Sequence, residues 1–305
     1  MTPDISTTDS PHVASTSASL SDRLKSWPLA ILPHRLLSRL VRRAARWRLF
    51  WWKQALIKLF IRHFDVDMSE ARYAVADYPD FNSFFTRELK TGIRPLPGDL
   101  QAIVSPVDGR VSEAGRIARG HLLQAKGCEY PLSVLLGGEA RHAAPFRDGR
   151  FATLYLSPRD YHRVHMPCDG RLVETVYVPG RLYSVAPHTT RAIPGLFTRN
   201  ERLVCLFDTP AGPMGLVMVG AIFVSCMETV WAGVVNPQMR MQKLVSRYAH
   251  PHGPEISLAR GAEMGRFNMG STVILLYPPN SVEWLETLQA GRRLCRGETI
   301  GRCSS

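Results

Sequence analysis

Residues 151–180 read FATLYLSPRDYHRVHMPCDGRLVETVYVPG, two runs of β-branched and aromatic residues divided by Pro, Asp and Gly. Short apolar runs bounded by turn residues are the mark of strands. The pattern recurs in IVSPVDGRVSEAG (103–115), RLVCLFDTPAGPMGLVMVGAIFVSCMETVWAG (202–233) and STVILLYPP (271–279). No β-α alternation and no fixed-period repeat accompanies it, so the expected class is α+β. Amphipathic N-terminal helices should precede a mainly antiparallel β sandwich or barrel-like catalytic domain over residues 101–305. The uncharged stretch 209–227 is continuously apolar or small only from Met214 to Met227. That falls short of the ~20 residues of a membrane span, so it reads as buried strands.

Upstream the chemistry changes. Residues 1–22 are Ser/Thr-rich, nearly free of aromatics and expected to be disordered. They lack the basic start and apolar run of a signal peptide. Residues 23–100 form the expected helical, membrane-associating region, in which 80–89 (DFNSFFTREL) reads as one short helix. Residues 34–64, HRLLSRLVRRAARWRLFWWKQALIKLFIRHF, divide into two faces at the ~100° spacing of a helix. Arg35, Arg39, Arg42, Arg43, Arg46 and Lys53 share a narrow arc. Leu37, Leu40, Val41, Ala44, Trp47, Trp51, Trp52, Ala55 and Leu59 lie opposite, and Arg48 breaks the pattern. A cationic face, an apolar face and clustered tryptophans suit a helix lying in an anionic membrane surface. A pair of core-packing helices with a solvated basic face is the alternative.

The chain has 305 residues, 45% of them hydrophobic and 21% charged, which excludes collagen-like, mucin-like and wholly disordered chains. Residues 1–62 hold eleven Lys or Arg against three Asp, so the N-terminal fifth carries most of the net charge of +12. An anionic partner follows from that charge; without a binding motif, nucleic acid is not the expected one. The six cysteines form no CxxC pair, and reduced thiols are expected.

Three segments carry residues capable of chemistry. Asp108 precedes Gly109 in SPVDGRV (105–111), a common turn dipeptide. His162 and His165 lie three apart in DYHRVHMPCDG (160–170); on an extended backbone they point to opposite faces, and no Cys or Glu cluster completes a ligand set, so no metal is expected. Gly270 and Ser271 sit before an aliphatic strand, and no GxSxG elbow occurs. One Asp, one His and one Ser can form a proton relay of nucleophile, base and orienting carboxylate, though such residues occur in almost any chain.

Several blocks occur in order: FNSFFTREL, PVDGRV, LQAKG, YLSPRDYHRVHMP, YVPGRLYSV, LFTRNERLVCLFDT, METVWAG and EMGRFNMGSTVI. Together, over about residues 45–278, they resemble the bacterial membrane-associated phosphatidylserine decarboxylases. The match departs at Met269, where such enzymes usually have Leu, a change that keeps size and polarity.

The resemblance implies a precursor that cuts itself between Gly270 and Ser271, giving a large chain of residues 1–270 and a small chain of 271–305. It implies that Asp108 orients His165, that His165 takes the proton from Ser271, and that Ser271 becomes a covalent pyruvoyl (pyruvate) cofactor. That group would form a Schiff base with phosphatidylserine, release carbon dioxide and leave phosphatidylethanolamine, with His162 as proton donor and His165 as the competing assignment. A dimer of processed protomers on the cytoplasmic side of the cell membrane, held peripherally, is also implied. A conventional serine hydrolase using Asp108, His165 and Ser271, and a non-enzymatic membrane-binding β domain, are the rival readings.

Overall fold

The computed structural model describes residues 34–125, 128–221, 226–238, 240–248, 255–268 and 271–304. The extension 1–22, and Met269 and Gly270, lie outside the described residues. The stretch STVILLY forms the strand Ser271–Tyr277, paired antiparallel with Gly212–Gly220 on one side and Arg150–Leu156 on the other. These are central members of a large antiparallel sheet. In order it runs Leu244–Arg247, Gly170–Val178, Arg202–Thr209, Gly212–Gly220, Ser271–Tyr277, Arg150–Leu156, Gly109–Arg116 and Arg293–Leu294.

The unbroken apolar run of the central strand follows from having both faces covered. Val273, Leu275 and Tyr277 enter one core cluster with Leu154, Phe207, Met264 and Phe267. Ile274 and Leu276 enter another with Phe151, Tyr130, Leu135 and Phe197. Alternate side chains of a strand point to opposite faces, so period-two burial here yields no polar face. A four-stranded sheet, Gly233–Val234, Met227–Thr229, Glu263–Phe267 and Arg163–His165, contributes to the first cluster. The expected class is borne out: a layered, mostly antiparallel β domain, open rather than closed into a barrel. Within 209–227, Met214–Gly220 is buried strand and Met227 opens another, while Pro210 and Ala211 form the turn before Gly212.

The basic stretch departs from a single wheel. It forms α1 (His34–Ala45) and α2 (Phe50–Phe64), broken between them. Trp52 bridges the break, its indole N–H donating to the Ala44 carbonyl at 2.9 Å. The break splits the cationic arc: Lys53 folds inward to donate to the carbonyls of Ala76 and Tyr78, and Arg46 pairs with Glu228. Propensity alone would have continued the helix; tertiary contacts won. The expected helix at 80–89 is also shorter, α3 (Phe81–Phe85), started by the Asp80 side chain accepting from the Ser83 N–H. Phe81, Phe84 and Phe85 bury with Ile57 in a third cluster, so the helices do pack a core. Yet Trp47, Leu49, Phe50, Leu59 and above all Trp51, 83% exposed, remain in solvent. Among the described residues no cysteine is joined in a disulfide.

Candidate active site

Ser271 is the first residue of the central strand, registered with Leu156 and Gly220, and has no exposed surface. Its hydroxyl is buried and has no hydrogen-bond partner. It opens on a cavity of about 490 Å³. Val41, Ala44 and Trp52 of the helical pair, Phe85 of α3 and Leu156 line the same space. Ser38, Thr153, Thr189 and Thr272 also bury a hydroxyl without a partner; what sets Ser271 apart is that it lines the apolar cavity.

His162 lies one side chain from that cavity. Its ring packs on Phe85 with centroids 4.1 Å apart. Nδ1 stands 2.8 Å from the Asp160 carbonyl, which fixes it as the N–H donor, so the buried Nε2 carries a free lone pair without a partner. Burial pushes its pKa down to about 3, with the nearby Arg87 guanidinium acting in the same direction.

His165 is held at both nitrogens. Nδ1 donates to the Gly261 carbonyl at 2.8 Å, leaving Nε2 to accept from the Tyr161 hydroxyl at 3.0 Å. Burial, then Arg296, pushes this imidazole down to about 3 as well. The Asp108 turn is stitched to it through the backbone, the His165 N–H donating to the Pro106 carbonyl.

The Asp108 carboxylate accepts from Arg94 at 2.8 Å and from the Arg296 backbone N–H at 2.6 Å. Arg94 is held in turn by Glu70. Gly109 is required by close approach rather than by a turn: a Cβ there would sit 2.4 Å from the Tyr155 carbonyl oxygen.

The sequence-derived residues therefore share one region without forming a bonded relay. The Asp108 side chain is linked to the His165 ring by way of Arg296, whose backbone holds Asp108 and whose guanidinium lies 3.5 Å from His165 Nδ1. The Ser271 hydroxyl is bonded to neither histidine. Tyr161 was within reach of sequence reading, since it stands inside DYHRVH. Arg94 and Arg296 were not: they lie 14 and 188 residues from Asp108, and no local pattern ties them to it.

A model of the family described as phosphatidylserine decarboxylase matches residues 81–302, and one described as PSD matches residues 24–65. The chain belongs to the phosphatidylserine decarboxylase family. Curated relatives named phosphatidylserine decarboxylase proenzyme extend the similarity to most of the chain. That of Stutzerimonas stutzeri is 51% identical over 286 residues, covering 93% of this chain and 96% of its own length. That of Ectopseudomonas mendocina is 53% identical over 272 residues, 89% and 95% of the two chains. That of Azotobacter vinelandii is 51% identical over 286 residues, 93% and 100%. Membership of a decarboxylase family whose relatives are named proenzymes gives the buried, unpaired Ser271 a chemical context.

Proposed function

We propose that this chain is a phosphatidylserine decarboxylase that matures by serinolysis between Gly270 and Ser271. The observation that carries the reading is the unpaired Ser271 hydroxyl facing an apolar cavity walled by the N-terminal helices. In the proposed maturation the hydroxyl attacks the Gly270 carbonyl and its proton passes to an imidazole, then to the departing Ser271 nitrogen. An ester replaces the peptide bond. Elimination frees the carboxylate of Gly270 and leaves dehydroalanine at 271, and hydrolysis releases ammonia to give the pyruvoyl group.

The surroundings of position 271 fit such a group: they are mainly apolar, and His162, whose Nε2 has no partner, packs on Phe85 of the same wall. When formed, its ketone supplies an electrophile for the substrate amine and a sink for the electrons released with carbon dioxide. This chain's own residues do the rest. The cavity walls exclude water, Asp108 and His165 serve the cutting step, and His162 handles the proton returned to the substrate carbon. Burial keeps both rings neutral, so each begins as a proton acceptor; the anionic head group supplies the charge that favours a protonated His162. A second reading gives His162 both tasks, favoured because its Nε2 is free while that of His165 is engaged by Tyr161.

The substrate also accounts for the helices. Among the described residues no helix is long and apolar enough to cross a membrane. The exposed Trp47, Trp51, Phe50 and Leu59, beside Arg43 and Arg48, give the reading of a peripheral surface for anionic lipid. Attachment on the cytoplasmic side as a dimer of processed protomers completes the proposal.

Denaturing mass spectrometry of purified protein tests it. The expected result is two chains, 1–270 and 271–305, the smaller without a free amino terminus, and one uncut chain for Ser271→Ala. A single, lipid-active wild-type chain overturns the reading and returns the site to the serine-hydrolase alternative.

A further inference from the structure

Asn268 lies two residues before the proposed cleavage point and has no exposed surface. Its side-chain amide is spent in full. Oδ1 accepts from Asn82 Nδ2 at 2.9 Å, and Nδ2 donates to Glu228 Oε1 at 2.8 Å and to Cys226 Sγ at 2.9 Å. Its backbone N–H donates to the Cys226 carbonyl. On the far side of the proposed cut, Ser271 is fixed by its register with Leu156 and Gly220. The bond to be broken therefore lies between two anchored residues three apart, a separation of at most ~11 Å along the chain.

The partners of Asn268 come from the region that walls the cavity. Asn82 belongs to α3, whose Phe84 packs into the helical cluster and whose Phe85 touches both His162 and the cavity. Glu228, on the strand Met227–Thr229, also pairs with Arg46 between α1 and α2. One short helix thus faces the helical pair, the candidate proton carrier and the segment to be cut.

We propose that Asn268 is a positioning residue for self-cleavage, clamped by Asn82 and Glu228 so that cutting requires α3 to be seated. This rests on the reading of Gly270/Ser271 as the cleavage point. A buried hydrogen bond of this kind corresponds to roughly 5- to 150-fold in rate where the transition state feels its whole loss.

The test is the rate of cutting of freshly translated chains, followed by intact mass. Asn268→Asp sets a carboxylate against Glu228 and should slow cutting about tenfold or more. Adding Glu228→Gln reverses the donor and should restore the rate to within about threefold, a rescue that a general loss of stability does not predict. Asn82→Ala, which leaves the Glu228 contact in place, should also slow cutting about tenfold. Melting temperatures in the uncuttable Ser271→Ala background separate rate from folding. The clamp is refuted if Asn82→Ala cuts at the wild-type rate, or if Glu228→Gln fails to rescue Asn268→Asp. Should Asn268→Asp not accumulate, Asn82→Ala alone decides. Wild-type protein that never divides at 270/271 sinks the underlying reading instead, and the two failures are distinct.

Discussion

Acid should unfold this protein through the two histidines of its site. Burial pushes the pKa of His162 and His165 down to about 3, whereas in the unfolded chain each titrates near 6.5. Between those values the unfolded chain binds protons that the folded chain refuses, so stability falls as the pH falls. The slope is ~1.4 kcal/mol per pH unit for each ring, or about 2.7 for both, once the pH is well below 6.5. Two pH units would remove roughly 5 kcal/mol from a typical total of about 5–15. The assay is urea unfolding of Ser271→Ala, which keeps one chain, between pH 7 and 4.5, alongside the same chain carrying His162→Gln and His165→Gln. Carboxylates held low by cationic partners, Glu139, Glu174 and Glu88, also lose stabilisation in acid. They are common to both chains and cancel in the difference. The expected result is a plot of stability against pH that is flatter in the variant by about 2.7 kcal/mol per unit between pH 5.5 and 4.5. Parallel plots would refute the claim that these rings are buried neutral.

Replacing the exposed Trp47 and Trp51 by Ser, and keeping Trp52 of the cavity wall, should weaken sedimentation with anionic vesicles while self-cleavage persists; unchanged vesicle binding removes the anchoring role. Asp108→Ala and His165→Ala should remain uncut on gels, whereas His162→Ala should be cut but decarboxylate poorly. An uncut His162→Ala chain would transfer the cutting role to His162. Arg94→Met should lower stability by roughly 3 kcal/mol in denaturant titration, because it strands the partly buried Asp108 and Glu70. It should also slow cutting, and a cost under about 1 kcal/mol would show the cluster to be solvated.

The β domain was legible because its signal is local. Runs such as STVILLY and RLVETVYV, bounded by Gly and Pro, become strands at the expected places, and the chemistry-bearing residues sit on or beside them. The helical stretch was harder, since a wheel assumes one uninterrupted helix. The contacts at the break follow no periodicity: Trp52 bonds back to Ala44 across the break, and Lys53 reaches Ala76 and Tyr78 more than twenty residues on. Residue types at the site could be named from the ordered motifs, but the partners that hold them could not. Arg94, Arg296 and Gly261 reach Asp108 and His165 from distant parts of the chain, and Asn82 meets Asn268 across 186 residues. Hydrogen bonds between distant segments leave no periodicity to read.

The burial that makes acid costly is what the proposed chemistry requires. An ester at Ser271 can be consumed by elimination, which leads to the cofactor, or by water, which leaves an ordinary serine and a dead enzyme. Keeping water out of the site biases that partition. The sheet alone does not enclose Ser271: Trp52, Phe60 and Phe85, which complete the wall, come from helices outside the β layers. Those same helices carry the exposed aromatic face assigned to the lipid surface. Dryness for maturation and a route for a two-chain substrate are thus demanded of the same elements. A site that matured before the helices were seated would open Ser271 to water at the step where water does most harm, which gives a physical reason for coupling the cut to α3.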